Sequence, residues 1–166
     1  STALPEQVAD DAIMSAFGSA GQRCSALRVL FVQDCVADTV TDMIKGALAE
    51  RVIGDPALIT TDIGPIIDEA ARDRLAAHCE RMKKEATFIA EAAMEDGTEH
   101  GTYLAPHIFE LSSLDQLDGE VFGPVLHIVR FKANQTEDVL AQIKATGYGL
   151  TFGVHSRLEG RWKELF

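Results

Sequence analysis

Leu27-Arg28-Val29-Leu30-Phe31-Val32-Gln33 is a short apolar run rich in Val, Leu and Phe, and it is the strongest indication of the fold class. Such a run is typical of a strand that is buried on both faces. Apolar residues then recur at helical spacing, at Val36, Val40, Ile44 and Leu48, which predicts an amphipathic helix. Because helical spacing also precedes the strand, the chain begins as helix, strand and helix.

The same alternation continues to the end of the chain. The first helix is predicted to follow Pro5 and to end at the run Gly18-Ser19-Ala20-Gly21. Another helix is predicted from the spacing of its apolar residues, Ile67, Ala71, Leu75, Cys79 and Met82. Here Cys79 is expected in the core and His78 on the surface.

Further strands are predicted at residues 87–90, 108–111, 125–131 and 150–155. A last helix is marked by Val139, Leu140 and Ile143 and is expected to end at Gly147. Strands that alternate with helices and are apolar almost throughout favour an α/β fold. We therefore expect a largely parallel sheet with helices on both faces.

Composition excludes several classes of function. The chain has 166 residues, enough for one domain, and a formal net charge of -11, which disfavours binding to nucleic acid. No apolar run approaches the roughly 20 residues of a membrane helix. The three cysteines form neither a disulfide framework nor a Cys-x-x-Cys metal half-site, so a reducing cytoplasm and no metal centre are expected. His100 lies in a polar stretch and is expected in a solvated turn.

Cys24 is the main candidate for chemistry, because it lies in a small and polar run, residues 21–28. A thiol reacts as the thiolate and therefore needs solvent access, nearby positive charge or hydrogen-bond donors. Gly21 would let the backbone approach a ligand closely. Four side chains supply charge or donors: Gln22, Arg23, Ser25 and Arg28. The alternative is that Cys24 is an inert core thiol, since free Cys is among the most buried residue types.

A second candidate motif occupies residues 119–125, where Glu120 and Phe122 are two positions apart. In an extended segment these side chains face the same side. The carboxylate could accept hydrogen bonds from ribose hydroxyls, and the ring could face a nicotinamide. Alternatively, the Glu is solvated and the Phe lies in the core. The chain has no Gly-x-Gly-x-x-Gly, so a dinucleotide would be held mostly by another segment.

Taken together, the two motifs resemble the nucleophile loop and the Glu-x-Phe-Gly-Pro motif of NAD(P)-dependent aldehyde dehydrogenases, in order and in separation. Four other segments fit the same family: residues 53–56, 62–66, 104–106 and 147–151. Residues 1–7 and 17–28 are similar to the glutamate-semialdehyde (pyrroline-5-carboxylate) dehydrogenase modules of bifunctional bacterial proline-utilisation proteins. The resemblance covers essentially the whole chain.

The resemblance implies roles for four residues. Cys24 would be the nucleophile that attacks the aldehyde, and Glu120 and Phe122 would position the NAD cofactor. Ser25 would receive the carboxylate of the substrate, L-glutamate γ-semialdehyde, which is oxidised to L-glutamate in proline catabolism. The backbone N–H of Cys24 would hold part of the developing oxyanion.

The resemblance also implies how the chain fits into a larger protein. Residues 1–166 are expected to be a single catalytic-domain fragment, with the Rossmann cofactor-binding domain, the general-base Glu, the oxyanion Asn and an oligomerisation segment elsewhere in the parent chain. The expected partners are therefore the aldehyde, that cofactor-binding domain and further copies of the parent chain. Trp162 could dock onto the remainder of the parent. The isolated chain is expected to be inactive.

Three alternatives remain open at this stage. The chain could be a non-catalytic scaffold with an aldehyde dehydrogenase fold, or it could act on a different aldehyde. It could also be a cysteine hydrolase or acyltransferase, which needs a His beside the thiol. His107 and His127 are available, but both lie in or beside predicted strands, where a structural role is expected.

Overall fold

The computed structural model describes residues 2–163, except for the side chains of Arg161 and Trp162. The prediction for Trp162 therefore lies outside the described residues. The helices are α1 (Pro5–Phe17), α2 (Asp34–Ala49), α3 (Glu69–Glu85), α4 (Thr136–Ala145) and α5 (Glu159–Lys163). Short 3₁₀ turns occupy Gly18–Gly21, Thr98–His100 and Leu114–Gln116. The strands are β1 (Val29–Gln33), β2 (Thr87–Glu91), β3 (His107–Leu111) and β4 (Val125–Phe131).

The four strands form one sheet in the order β1-β4-β3-β2. β4 pairs in parallel with both β1 and β3, and β2 closes one edge by antiparallel pairing with β3. The parallel pairs place Val29 beside His127 and His107 beside Val125. The predicted largely parallel sheet is confirmed, with one antiparallel edge strand.

Helices cover both faces of this sheet, as predicted. Successive residues of β4 point to opposite faces, so Leu126 and Ile128 belong to the core cluster formed with α1 and α2. Val125 and Val129 belong instead to a second cluster with Cys79 of α3. This alternation explains why β4 is apolar at nearly every position, since a strand covered on both faces has no solvent side.

The ends of the helices follow local signals in most places. Pro5 begins α1, and Gly147 follows α4 with φ of 74°, a left-handed conformation that glycine adopts without strain. The prediction that Ile67 belongs to the α3 stripe is wrong. The carboxylate of Asp68 accepts a hydrogen bond from the N–H of Ala71 at 2.7 Å, so the helix begins after this cap and Ile67 is 82% exposed.

The strand predicted at residues 150–155 is not formed, and this segment has no regular secondary structure. Leu150 and Phe152 are exposed. A strand exists only as part of a hydrogen-bonded ladder, and no neighbour among residues 2–163 supplies one here. Within the same range, no helix has the combination of length and apolar character needed to cross a bilayer.

Candidate functional site

The loop that carries Cys24 begins with a left-handed turn after α1. Ser19, Ala20 and Gly21 have φ of 55°, 53° and 64°. Two of these residues have a Cβ, and each such residue costs on the order of 1 kcal/mol in this region. Ala20 and Gly21 are buried, so the surrounding packing maintains the turn. The turn reverses the chain and brings residues 23–25 to the surface.

Gly21 contacts the second motif directly. A Cβ on Gly21 would overlap the carbonyl oxygen of Gly123, and it would also lie 2.7 Å from the carbonyl oxygen of Ala16. From the sequence, this glycine was expected to allow a close approach between the backbone and a ligand. In the structure, the close approach is between two segments of the chain itself, and it joins the nucleophile loop to the Gly-Pro turn.

Gln22 and Arg23 were expected to offer donors or charge at the thiol, and the structure corrects both expectations. The amide of Gln22 donates to the carbonyl of Pro65 at 3.2 Å and accepts from the N–H of Ile67 at 2.8 Å. Arg23 donates to the carbonyl of Met14 at 3.0 Å, near the end of α1. Both side chains therefore bind backbone groups of other segments and hold the loop in place.

Cys24 and Ser25 are both exposed. They line a cavity of about 1220 Å³ that is also lined by Glu120 and Phe122. The four residues predicted for the site therefore share one cavity, although the two motifs are far apart in the chain. Cys24 is accessible and is not an inert core thiol.

The other two cysteines differ from each other. Cys35 is exposed near the start of α2. Cys79 is buried in α3, as predicted, and burial raises the pKa of its thiol to about 12. A thiol with this pKa is almost entirely protonated at neutral pH, so Cys79 is a packing residue.

Glu120 and Phe122 both contact the guanidinium of Arg28. The backbone N–H of Glu120 donates to the hydroxyl of Tyr148 at 3.1 Å. The Phe122 ring is 45% exposed. An exposed carboxylate beside a half-exposed aromatic ring is suited to hold a polar sugar and a flat heterocycle.

Arg28 connects the two motifs, a role that sequence reasoning missed. Its Nε lies 3.0 Å from Glu120 Oε1, and its guanidinium carbon lies 4.5 Å from the centre of the Phe122 ring. Its remaining nitrogens donate to the carbonyls of Gly21 and Arg23. The sequence signalled only that an arginine follows the nucleophile by four positions. Nothing in it indicated a partner 92 residues away.

A pair of histidines lies beneath this part of the site. His127 is fully buried, and both its backbone N–H and its Nδ1 lie 3.1 Å from the carbonyl of Arg28. Because a carbonyl only accepts, Nδ1 carries the proton and Nε2 accepts from His78 Nε2 at 2.9 Å. The prediction that His78 is a simple surface residue is therefore wrong.

The histidines also bear on the predicted cysteine hydrolase alternative. Burial lowers the pKa of His127 to about 4, and it also lowers the pKa of His107. His107 Nδ1 lies 2.6 Å from the carbonyl of Ala105, and its Nε2 lies 3.3 Å from Glu91. Both rings thus donate through Nδ1 to a backbone carbonyl, and burial favours the neutral form of both, which makes them weaker bases. The geometry does not support a Cys–His pair.

His100, which was expected in a solvated turn, is exposed at the end of a 3₁₀ turn. Its Nε2 lies 3.3 Å from Glu99. Among residues 2–163, no group of three or more His, Cys, Asp or Glu side chains has an arrangement that could hold a metal ion.

Comparison with known proteins shows similarity along the whole chain. The sequence profile of the aldehyde dehydrogenase family matches residues 2–166. The chain is 47% identical over 164 residues to the bifunctional protein PutA of Klebsiella aerogenes, covering 96% of this chain and 12% of that protein. It is 33% identical over 157 residues to a 1-pyrroline-5-carboxylate dehydrogenase of a Geobacillus strain, covering 92% of this chain and 29% of that one.

A crystal structure of a bifunctional proline utilization A protein superposes with a TM-score of 0.94 and 53% identity. The superposition covers 99% of this chain and 16% of the solved chain. The chain therefore spans a small part of the length of the relatives that it matches.

Proposed function

The chain belongs to the aldehyde dehydrogenase family, and we propose that it forms the nucleophile-bearing part of an enzyme that oxidises L-glutamate γ-semialdehyde to L-glutamate with NAD. The observation that carries this proposal is the single cavity lined by Cys24, Ser25, Glu120 and Phe122. The substrate is supported by similarity to PutA and to a 1-pyrroline-5-carboxylate dehydrogenase.

The described residues fit the nicotinamide half of a dinucleotide. Glu120 offers a carboxylate that can accept hydrogen bonds from ribose hydroxyls, and Phe122 offers a partly exposed aromatic face. We assign both to cofactor binding. A bound nicotinamide would supply the acceptor for the hydride that leaves the substrate carbon. We place the rest of the dinucleotide against another part of the parent protein.

Cys24 carries the covalent step of the proposed reaction. Its thiolate forms a bond to the aldehyde carbon, and the electron pair of the C=O double bond moves onto oxygen. The N–H of Cys24 holds part of this oxyanion. Oxidation leaves a thioester on Cys24, and water cleaves it to release the carboxylic acid and the thiol. We place the base that activates this water outside the present residues.

Ser25 is assigned to substrate recognition. It is exposed next to Cys24 and lines the same cavity. Its hydroxyl can donate to the carboxylate at the far end of the aldehyde. A site with this donor favours an aldehyde that bears a carboxylate over one that lacks it.

We also place the enzyme in the bacterial cytoplasm, a reducing compartment that suits its exposed Cys24 thiol.

The proposal is tested in the full-length parent protein with purified variants. Cys24→Ala is expected to abolish NAD-dependent oxidation of glutamate semialdehyde, whereas the matched control Cys35→Ala should retain it. Ser25→Ala is expected to raise KM for this aldehyde about tenfold and to leave KM for an uncharged aldehyde of similar length unchanged. Full activity in Cys24→Ala would refute the catalytic assignment and favour the scaffold alternative. Equal effects of Ser25→Ala on both aldehydes would refute the assigned substrate contact.

A further inference from the structure

Arg28 occupies the position just before β1, where the nucleophile loop meets the sheet. Its backbone is held from below, because the N–H and the Nδ1 of His127 both lie 3.1 Å from its carbonyl. Its side chain is only 15% exposed. The buried His127 therefore fixes the backbone of Arg28, and the guanidinium extends from it toward both motifs.

The contacts of the guanidinium fall into two groups. Two contacts are to the loop of Cys24, namely the carbonyls of Gly21 and Arg23, the latter at 2.9 Å. The other two are to the second motif, through Glu120 Oε1 at 3.0 Å and the face of Phe122 at 4.5 Å. One rigid planar group thus sets the distance between the thiol loop and the pair proposed to hold the cofactor.

The chemistry of arginine suits this double contact. Its five N–H donors lie in a fixed plane, so several acceptors can be bound in one geometry while the flat face rests on an aromatic ring. A lysine ammonium is a compact charge on a flexible stem and does not reproduce that plane. The ion pair engages Oε1 of Glu120, which leaves Oε2 as an acceptor for a ligand hydroxyl.

We propose that Arg28 is a positioning residue, which holds Cys24 at a set distance from Glu120 and Phe122 through its contacts with Gly21 and Arg23. This inference rests on the proposed function in so far as Glu120 and Phe122 bind the cofactor. The effect of Arg28 on Cys24 does not depend on the proposed function, because Arg28 donates to the carbonyls of Gly21 and Arg23 whichever ligand the cavity binds.

The test uses the full-length parent protein with Cys35 replaced by Ala in every variant. Arg28→Met keeps most of the side-chain volume and removes both groups of contacts, and Arg28→Lys keeps the charge without the planar fork. Arg130→Met is the matched control, because the Arg130 guanidinium also joins separate segments of the chain, through Glu110 at 2.8 Å and Asp38 at 2.6 Å. It lies toward the other end of the parallel β1–β4 pair.

Two readouts separate the two groups of contacts. The first is the rate of Cys24 alkylation by iodoacetamide, which needs no cofactor. The second is the dissociation constant of NADH, measured by its fluorescence. Arg28→Met is expected to slow alkylation and to weaken NADH binding, each by about tenfold or more. Arg28→Lys is expected to recover NADH binding to within about threefold and to leave alkylation slow. Arg130→Met should change neither.

The possible results are distinct. If Arg28→Met matches Arg130→Met in both readouts, the proposal is overturned. If Arg28→Met does not fold, the comparison of Arg28→Lys with Arg130→Met decides, and unchanged alkylation in Arg28→Lys overturns the proposal. If the wild-type parent binds NADH but oxidises no aldehyde, the proposed function fails, and the alkylation rates still decide the role of Arg28.

Discussion

Gly21 and Gly123 meet backbone to backbone, so the nucleophile loop and the Gly-Pro turn of the second motif are in direct contact. A side chain on Gly21 would overlap the carbonyl oxygen of Gly123. Gly21 also has φ of 64°. The conformation therefore favours glycine here, and the available space requires it. The two motifs act as one structural unit, although about a hundred residues separate them.

Gly21→Ala is expected to lower the free energy of unfolding by about 3 kcal/mol, because it adds the cost of a left-handed alanine to that of a steric overlap. Gly147→Ala is the matched control. Gly147 also has a left-handed φ of 74°, but a Cβ there would meet nothing within 4 Å. Its expected cost is about 1 kcal/mol. Urea unfolding of both variants measures the difference, and equal costs would contradict the close contact.

Alkylation is expected to distinguish the three cysteines. Cys24 is exposed, whereas Cys79 is buried with a pKa raised to about 12, so native protein should be labelled at Cys24 and not at Cys79. Mass spectrometry of peptides after iodoacetamide treatment reports each site. Cys79 should become reactive only in urea, and Cys35 serves as an exposed internal control. Labelling of Cys79 at the rate of Cys24 in the native protein would refute this burial pattern.

Acid is expected to destabilise the fold through His127. Burial lowers the pKa of His127 from 6.5 to about 4, so between these values the unfolded chain binds a proton that the folded chain does not. The contribution of His127 is therefore fully present above about pH 6.5. It falls by up to about 1.4 kcal/mol per pH unit as the pH drops toward 4.

Urea unfolding between pH 7 and pH 4.5 measures this loss, and NMR titration of the imidazole nitrogens assigns it. The ring of His127 should remain neutral at pH 5.5, with the proton on Nδ1. Burial also lowers the pKa values of His78 and His107, so all three histidines act in the same direction. A charged His127 ring at pH 5.5 in folded protein would show that this prediction is wrong.

The start of α3 depends on the cap at Asp68. Asp68→Ala removes the acceptor for the N–H of Ala71 and is expected to cost about 1 kcal/mol of unfolding free energy. Asp68→Asn should restore most of this stability, since an amide oxygen also caps. Asp73→Ala is the control, because Asp73 is exposed inside the same helix and forms a surface ion pair with Arg72. If thermal or urea unfolding shows a larger loss of unfolding free energy for Asp73→Ala than for Asp68→Ala, the role of the cap is contradicted.

Local signals were sufficient for most of the fold. The run at residues 27–33 predicted β1, and the apolar spacing from Val36 to Leu48 predicted α2. These predictions succeed because the periods of helix and strand differ, so each pattern buries its apolar side chains in only one of the two structures. Ile67 and residues 150–155 are exceptions. The cap at Asp68 places the start of α3 after Ile67. Residues 150–155 form no strand because no strand among residues 2–163 pairs with them.

Most of the alternation of helices and strands, the placing of Cys24 in a polar loop and the presence of a second motif with Glu120 and Phe122 could be read from the sequence. The exposure of Cys24 and the way these parts meet follow from tertiary packing. Gly21 lies against Gly123, Arg28 binds both motifs, and Gln22 and Arg23 hold the loop from behind. Periodicity in the sequence indicates which face of an element is buried, but not which segment it is buried against. The partner in each hydrogen bond or contact is therefore set only when distant segments come together in the folded sheet.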